Sequence, residues 1–429
     1  MKYQLKQLKQ IAKRAIRDYW SAESLSRAKN IYAYVRNINA YIRLQPSNAY
    51  IRFQLLSCKS LEKLDVLFFY DRPRHWPTIK LVVEELVHRR SDLRLALVIA
   101  CSKKEFPDDS FLSGIPIIRA VAASLVLFDT QILYTPTPYL SPSSGDPSLR
   151  AKIPPKARVV HALMSMNSLD GTFADDAFDA YDYILCAGPY QLDSFRKRAV
   201  RYPALSRKWL LPAGYPKLDL ILASHSTKRH SVARSGRSTV VYAPTHNFGY
   251  NENLTSLRQH GEAIINALLA EGHRVIFRPH PISLVDSDRP DIDRICRLHG
   301  DNPNFSLDAS ADYAESYSMA DLMVTDVSGT GFMFSFSFGK PCLFFAPDAE
   351  AERGLSGIQF DARHRIGALV RDIDELIGKT AELCHRDMTE EIARFRDETV
   401  FNVGKSASYI VDCLEDILSG CERPEWDRL

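Results

Sequence analysis

Apolar residues fall first at helical spacing and then in short continuous runs along this chain. Leu5, Leu8, Ala12, Ala15 and Tyr19 recur at three- and four-residue steps, which predicts an amphipathic helix over residues 1–20. Lys2, Lys6, Lys9, Lys13, Arg14 and Arg17 cover much of its remaining surface. Such a helix suits an anionic membrane surface, and equally suits packing on the domain or a partner with its basic face solvated. A second helical stretch runs to about Asn48, so residues 1–60 are expected to form a helical extension.

From Leu64 the pattern changes to apolar strands alternating with helical segments. Asp65–Tyr70, Leu95–Ala100, Ser124–Phe128, Arg158–His161 and Tyr183–Cys186 read as buried strands, with helices over Trp76–His88 and Pro189–Lys197. Continuous apolar runs separated by helices predict a parallel sheet covered on both faces, here over residues 61–223. The polar, basic stretch Ser224–Arg237 reads as a linker or exposed loop. Beyond it the alternation resumes over 238–405, with strands Thr239–Ala243, Arg274–Arg278, Phe305–Leu307, Leu322–Thr325 and Cys342–Phe345. Helices are expected between them over Leu254–Glu271, Pro290–His299, Tyr313–Met319 and Gly331–Phe338. Residues 388–418 read as helical, with 406–429 forming a terminal helix able to cross back to the first domain. The expectation is an α/β protein of two Rossmann-like, doubly wound domains facing each other across a cleft.

Length and composition agree with that organisation. The 429 residues exceed one ordinary domain, at roughly 150 residues each. Hydrophobic residues make up 45% and charged residues 25%, a globular balance. A net charge of only +3 argues against a general nucleic-acid partner. The eight cysteines form neither a Cys-x-x-Cys pair nor a Cys/His ligand pattern, which fits a reducing cytoplasm and no structural metal. No apolar stretch is long enough to span a bilayer, and no secretory signal opens the chain.

In open α/β sheets ligands gather beyond the carboxyl ends of the strands. After Leu322–Thr325 comes Asp326-Val327-Ser328-Gly329-Thr330-Gly331, leading into an apolar helix. Small residues there allow close backbone approach, and a helix N-terminus offers N–H groups to phosphate; ordinary capping by Ser328 or Thr330 is the plainer reading. After the strand ending at Arg278 comes Pro279-His280-Pro281, where Arg278 supplies fixed charge. His280 either meets phosphate or protonates a leaving group, or is simply a surface histidine. Thr245 lies in Pro244-Thr245-His246-Asn247, after a third strand. In the first domain His161 ends its strand, as a core histidine or as a cleft residue, and Asp71-Arg72-Pro73-Arg74-His75 follows the first strand. The absence of a Gly-x-Gly-x-x-Gly turn after a strand and of a P-loop argues against dinucleotide oxidoreductases and P-loop enzymes. No cofactor is called for.

Tyr242-Ala243-Pro244-Thr245, Arg278-Pro279-His280-Pro281, Ala320 through Ser328, and Gly339-Lys340-Pro341 together resemble the CDP-glycerol glycerophosphotransferase family of teichoic-acid and capsule synthesis. Gly214-Tyr215-Pro216-Lys217-Leu218-Asp219 is similar to that family's segment between domains. The resemblance implies a GT-B architecture and transfer of a polyol phosphate, glycerol phosphate first, from a CDP-linked donor to a glycan or lipid-linked acceptor. The setting it implies is the cytoplasm, at the inner face of the cytoplasmic membrane. By the same resemblance His280 and His161 are catalytic, with His161 the base for the acceptor hydroxyl. Arg278, Thr245, Asp326, Ser328, Gly329 and Thr330 hold the donor phosphates. The chain departs from the pattern at His161-Ala162, where the family has His-Gly, and at Ser328-Gly329, where it has Ser-Ser. A GT-B sugar transferase, a sugar-nucleotide epimerase and an inactive GT-B-like binding subunit are the alternatives.

Overall fold

The computed structural model describes residues 63–72, 75–100, 107–120, 122–141, 151, 153–162, 165–170, 172–225, 237–247, 252–310 and 313–429. The extension expected over 1–60, its basic helix, and most of the linker at 224–237 lie outside the described residues. Two compact units interleave in sequence. The first takes its described residues from 63–72, 90–160 and 178–181, the second from 75–89, 161–177 and 182–429.

The first unit is built on strands β1 (Leu64–Tyr70), β2 (Leu95–Ile99), β3 (Ile117–Arg119), β4 (Thr130–Thr135) and β5 (Arg158–His161), of which β1 to β4 run parallel. They lie in the order β3-β2-β1-β4-β5. β1 and β2 are buried along their whole length, which is why Val66–Tyr70 and Leu95–Ile99 read as continuous apolar runs. β5 leads into the second unit, to which His161 belongs.

Helix α1 (Trp76–Arg89), strands β6 (Tyr183–Cys186) and β7 (Trp209–Pro212), and helices α2 (Pro189–Arg201) and α3 (Pro216–His225) open the second unit. A parallel six-stranded sheet follows. Its strands are β8 (Thr239–Tyr242), β9 (Arg274–Phe277), β10 (Phe305–Leu307), β11 (Leu322–Thr325), β12 (Cys342–Phe345) and β13 (Gly367–Val370). Helices α4 (Leu257–Ala270), α5 (Arg289–His299), α6 (Ala314–Met319), α7 (Thr330–Phe338), α8 (Ile358–Asp361) and α9 (Ile373–Leu383) alternate with them. Helices α10 (Thr389–Thr399) and α11 (Ser406–Ser419) precede a short β14 (Asp427–Arg428), which pairs antiparallel with β7.

The six strands lie in the order β10-β9-β8-β11-β12-β13. Successive strands therefore step one way from β8 and the other way from β11. The direction of winding reverses between β8 and β11, and at such a switch point the loops part to leave room for a ligand.

Several elements differ from the sequence expectation. Ser124–Phe128 forms most of a 3₁₀ segment (Ala122–Leu127), and the strands lie on either side of it, at β3 and β4. A short apolar run does not distinguish strand from helical turn by periodicity. Residues 388–418 are two helices, divided where Asn402 takes a left-handed φ of 50°. α3 runs to His225, two residues into the stretch expected to be a linker. β13 went unread because it is short and opens on glycine.

Candidate functional site

β9, β8 and β11 are neighbours, so the loops after them leave the sheet side by side. Backbone bonds carry the ladder past the strand ends. Arg278 N–H donates to Tyr242 O at 2.8 Å and Ala243 N–H to Val324 O at 2.9 Å. Thr325 Oγ1 adds a bond to Ala243 O at 2.6 Å. These contacts bring the segments at Thr245, Arg278–His280 and Asp326–Thr330 together at the switch point.

Asp326 is fully buried. Its Oδ1 accepts from Thr245 N–H at 3.1 Å and from the Thr245 hydroxyl. Its Oδ2 accepts from Ser256 N–H and Ser256 Oγ, both at 2.9 Å. Burial pushes its pKa up, and those four donors act against the rise. The carboxylate ties the β8 loop to the start of α4.

Arg278 is 8% exposed. Its Nη1 reaches Asp308 Oδ2 at 2.5 Å and Ser310 Oγ at 3.2 Å, while Nη2 donates to Ser310 O at 2.9 Å. Burial alone would raise the Asp308 pKa, but bonds from Ser310 and Ser316 and the Arg278 charge leave it lowered. The Arg278 guanidinium lies 5.9 Å from the Tyr313 ring centroid, and Lys217 Nζ lies 4.8 Å from the same ring. Lys217 thereby joins this cation cluster from the first turn of α3.

His280 Nδ1 accepts the Ile282 N–H at 3.2 Å, which leaves the proton of the neutral ring on Nε2. Ser328 Oγ accepts the Thr330 N–H at 3.2 Å, and Tyr317 OH lies 2.7 Å from Thr330 Oγ1. Gly329 occupies the N-cap position of α7. A Cβ there would fall 1.7 Å from Asn167 Oδ1, so glycine lets the 165–170 segment lie directly on the helix start. That segment is itself pinned. Gln359 Oε1 accepts from Ser168 N–H at 2.9 Å, and Gln191 Nε2 donates to Asn167 O at 2.7 Å.

His161 stands apart from these groups in character. It is 1% exposed, and burial together with neighbouring His75 lowers its pKa to about 3. Its imidazole is neutral at ordinary pH. Lys340 has a structural part, donating to Ser318 O at 2.7 Å and Ala320 O at 2.5 Å at the end of α6. A cavity of about 310 Å³, whose lining includes Tyr190, Lys197, Ile358 and Phe395, holds none of the residues singled out in the sequence.

Sequence reading missed Ser256, Asp308, Asn167, Gln359 and Asp288. Ser256 and Asp288 sit at the N-cap positions of α4 and α5, a local signal of helix starts that says nothing of their distant partners. Among the described residues no group of three or more His, Cys, Asp or Glu side chains is placed to hold a metal ion, and no helix is long and apolar enough to cross a membrane.

The sheets and their winding define a GT-B-like α/β protein. Residues 164–416 match the model of the CDP-glycerol:poly(glycerophosphate) glycerophosphotransferases, and the chain belongs to that family. It is 27% identical over 228 residues to the teichoic acid poly(glycerol phosphate) polymerase of Bacillus subtilis (strain 168). That match covers 48% of this chain and only 27% of the polymerase. In fold the chain is similar to the wall teichoic acid polymerase TagF, with a TM-score of 0.58 at 17% identity over 92% of this chain and 98% of that one. It is also similar to the Methanocaldococcus jannaschii UDP-GlcNAc 2-epimerase solved with UDP-GlcNAc and UDP. There the TM-score is 0.54 at 13% identity, over 82% and 99% of the two chains.

Proposed function

We propose that this protein transfers glycerol phosphate from CDP-glycerol to a hydroxyl of a cell-surface glycopolymer. The observation that carries this reading is the convergence of Thr245, Arg278, His280 and the Ser328–Thr330 turn beyond three adjacent strands at the switch point. An acceptor oxygen attacks the β-phosphorus. The bond from that phosphorus to the bridging oxygen breaks, and CMP departs with the bridging oxygen. The acceptor hydroxyl gives its proton to a base.

In this reading Arg278, the Nε2 proton of His280 and the backbone N–H groups at the start of α7 meet the phosphoryl charge, the main lever in such transfers. Ser328, Gly329 and Thr330 shape that turn, while Asp326 positions Thr245. His161 is the acceptor-side base by its place in the family pattern. Its neutral state is the one a proton acceptor needs, whereas its burial requires the acceptor to reach inward. His161→Ala should then cut turnover by roughly 10²–10⁴-fold with CMP binding retained, and unchanged turnover removes the assignment. The acceptor is a glycan or lipid-linked chain at the inner membrane face, where residues 1–20 supply the basic contact.

Incubation of the purified protein with CDP-glycerol, CDP-ribitol and UDP-sugars, each with a glycerol-phosphate primer, tests the reading. CMP release with CDP-glycerol and growth of the primer are expected. Conversion of a UDP-sugar instead makes the chain a sugar transferase or epimerase. Tight nucleotide binding without product from any pair makes it a binding subunit.

A further inference from the structure

Asp288 is a fully buried carboxylate at the N-cap position of α5, yet it makes no capping bond to its own helix. It reaches sideways into the loops after β8 and β9. It accepts from Asn247 N–H at 3.1 Å, Ser283 Oγ at 2.8 Å and Arg258 Nε at 2.8 Å, and lies 2.9 Å from His246 Nδ1. Those contacts satisfy the charge, so its burial is compensated.

His246 is 1% exposed, and its Nδ1 also lies 2.9 Å from Ser283 Oγ. The Ser283 hydroxyl proton is given to Asp288, so both groups facing Nδ1 are acceptors. The ring proton therefore sits on Nδ1 and the ring plane is set. Nε2 points toward Asp286, 3.5 Å away.

His280 stacks against this ring, with centroids 6.0 Å apart and planes at 29°. The turn that carries His280 also carries Ser283, whose N–H donates to His280 O at 2.8 Å. His280 is thus held on one face by His246 and at Nδ1 by the Ile282 amide. A buried carboxylate that orients one imidazole, which in turn backs a second, has the layered support that keeps a reacting group in one geometry.

We propose that the His246–Asp288 pair is a positioning element for His280, holding that imidazole with its Nε2 proton directed at the donor phosphates. The last clause rests on the donor-site reading above; the positioning itself does not. His246 does not touch the donor and acts through its neighbour.

The test uses full-length ¹⁵N-labelled protein without ligand, as wild type, His246→Asn and Asp288→Asn. His246→Asn keeps a donor for Asp288 while removing the stacked ring, so it is the folded variant on which the test rests, and Asp288→Asn is read only where its thermal unfolding shows a folded protein. Imidazole ¹⁵N spectra, with His280 assigned from His280→Gln, should show the Nε2–H form of His280 in wild type and a mixture of tautomers in the variants. With CDP-glycerol, kcat should fall by up to about 100-fold, the cost of a small misplacement, while KM stays nearly unchanged. Unmoved His280 resonances in folded His246→Asn overturn the proposal, whatever happens to its thermal stability. Tautomer mixing in a protein that never turns over CDP-glycerol upholds the positioning and refutes the donor reading.

Discussion

Asp326 accepts hydrogen bonds from both the amide and the hydroxyl of Thr245, across 81 positions of sequence. That one carboxylate joins the strand ends on the two sides of the switch point, and through Ser256 it reaches α4 as well. Ser256 Oγ also lies 2.8 Å from Tyr242 OH, so the knot continues into the strand itself.

Asp326→Asn tests that knot. Every group facing the carboxylate is a donor, so an asparagine turns its NH₂ against one of them and leaves buried donors unsatisfied. A loss of about 3 kcal/mol is expected from urea unfolding. Donor binding should weaken with it, because Thr245 loses its anchor. A variant as stable as wild type contradicts the geometry.

Gly329→Ala should force Asn167 away from the helix start, since the new methyl would fall 1.7 Å from its Oδ1. Shortening the obstacle should relieve the strain. The double variant Gly329→Ala/Asn167→Ala is expected to recover stability by about 0.5–3 kcal/mol relative to the sum of the single changes. Strict additivity in thermal denaturation shows that the two residues do not meet.

Arg278→Lys keeps the charge and removes the fork that spans Asp308 and Ser310. Leaving these partners incompletely bonded should cost about 1–3 kcal/mol. Calorimetry with CMP should show weaker binding as well. Equal affinity in the lysine variant removes Arg278 from the phosphate site.

His161 predicts a pH dependence with a definite sign. Its pKa is lowered from 6.5 to about 3 in the folded chain, so the unfolded chain binds more protons between those values. Stability is complete above the unfolded value and falls as pH drops through that window. Thermal unfolding of wild type should therefore lose midpoint on acidification more steeply than His161→Gln. Parallel curves would show that His161 does not titrate as a buried group.

The strands were legible where burial on both faces left an unbroken apolar run, as in β1, β2, β8 and β11. β13 and the 3₁₀ segment at Ala122–Leu127 were not, because a run of a few residues carries too little period to choose its state. The functional segments could be found because ligands gather at strand ends, and each strand end is a local event in sequence. Family resemblance added the nucleotide and the phosphate transfer.

What each residue does at those ends was decided by tertiary structure alone. Asp326 read as a phosphate-loop residue, and the fold sets its carboxylate against Thr245 and Ser256. Asp288 drew no reading from the sequence, and in the fold it joins His246 to Ser283. Lys340, prominent in its motif, closes the end of α6. Local pattern determines which segments are strands and helices, because propensity and burial act residue by residue. Partners 70 or 81 positions apart are set by the order in which the strands assemble, and that order is a property of the packed sheet.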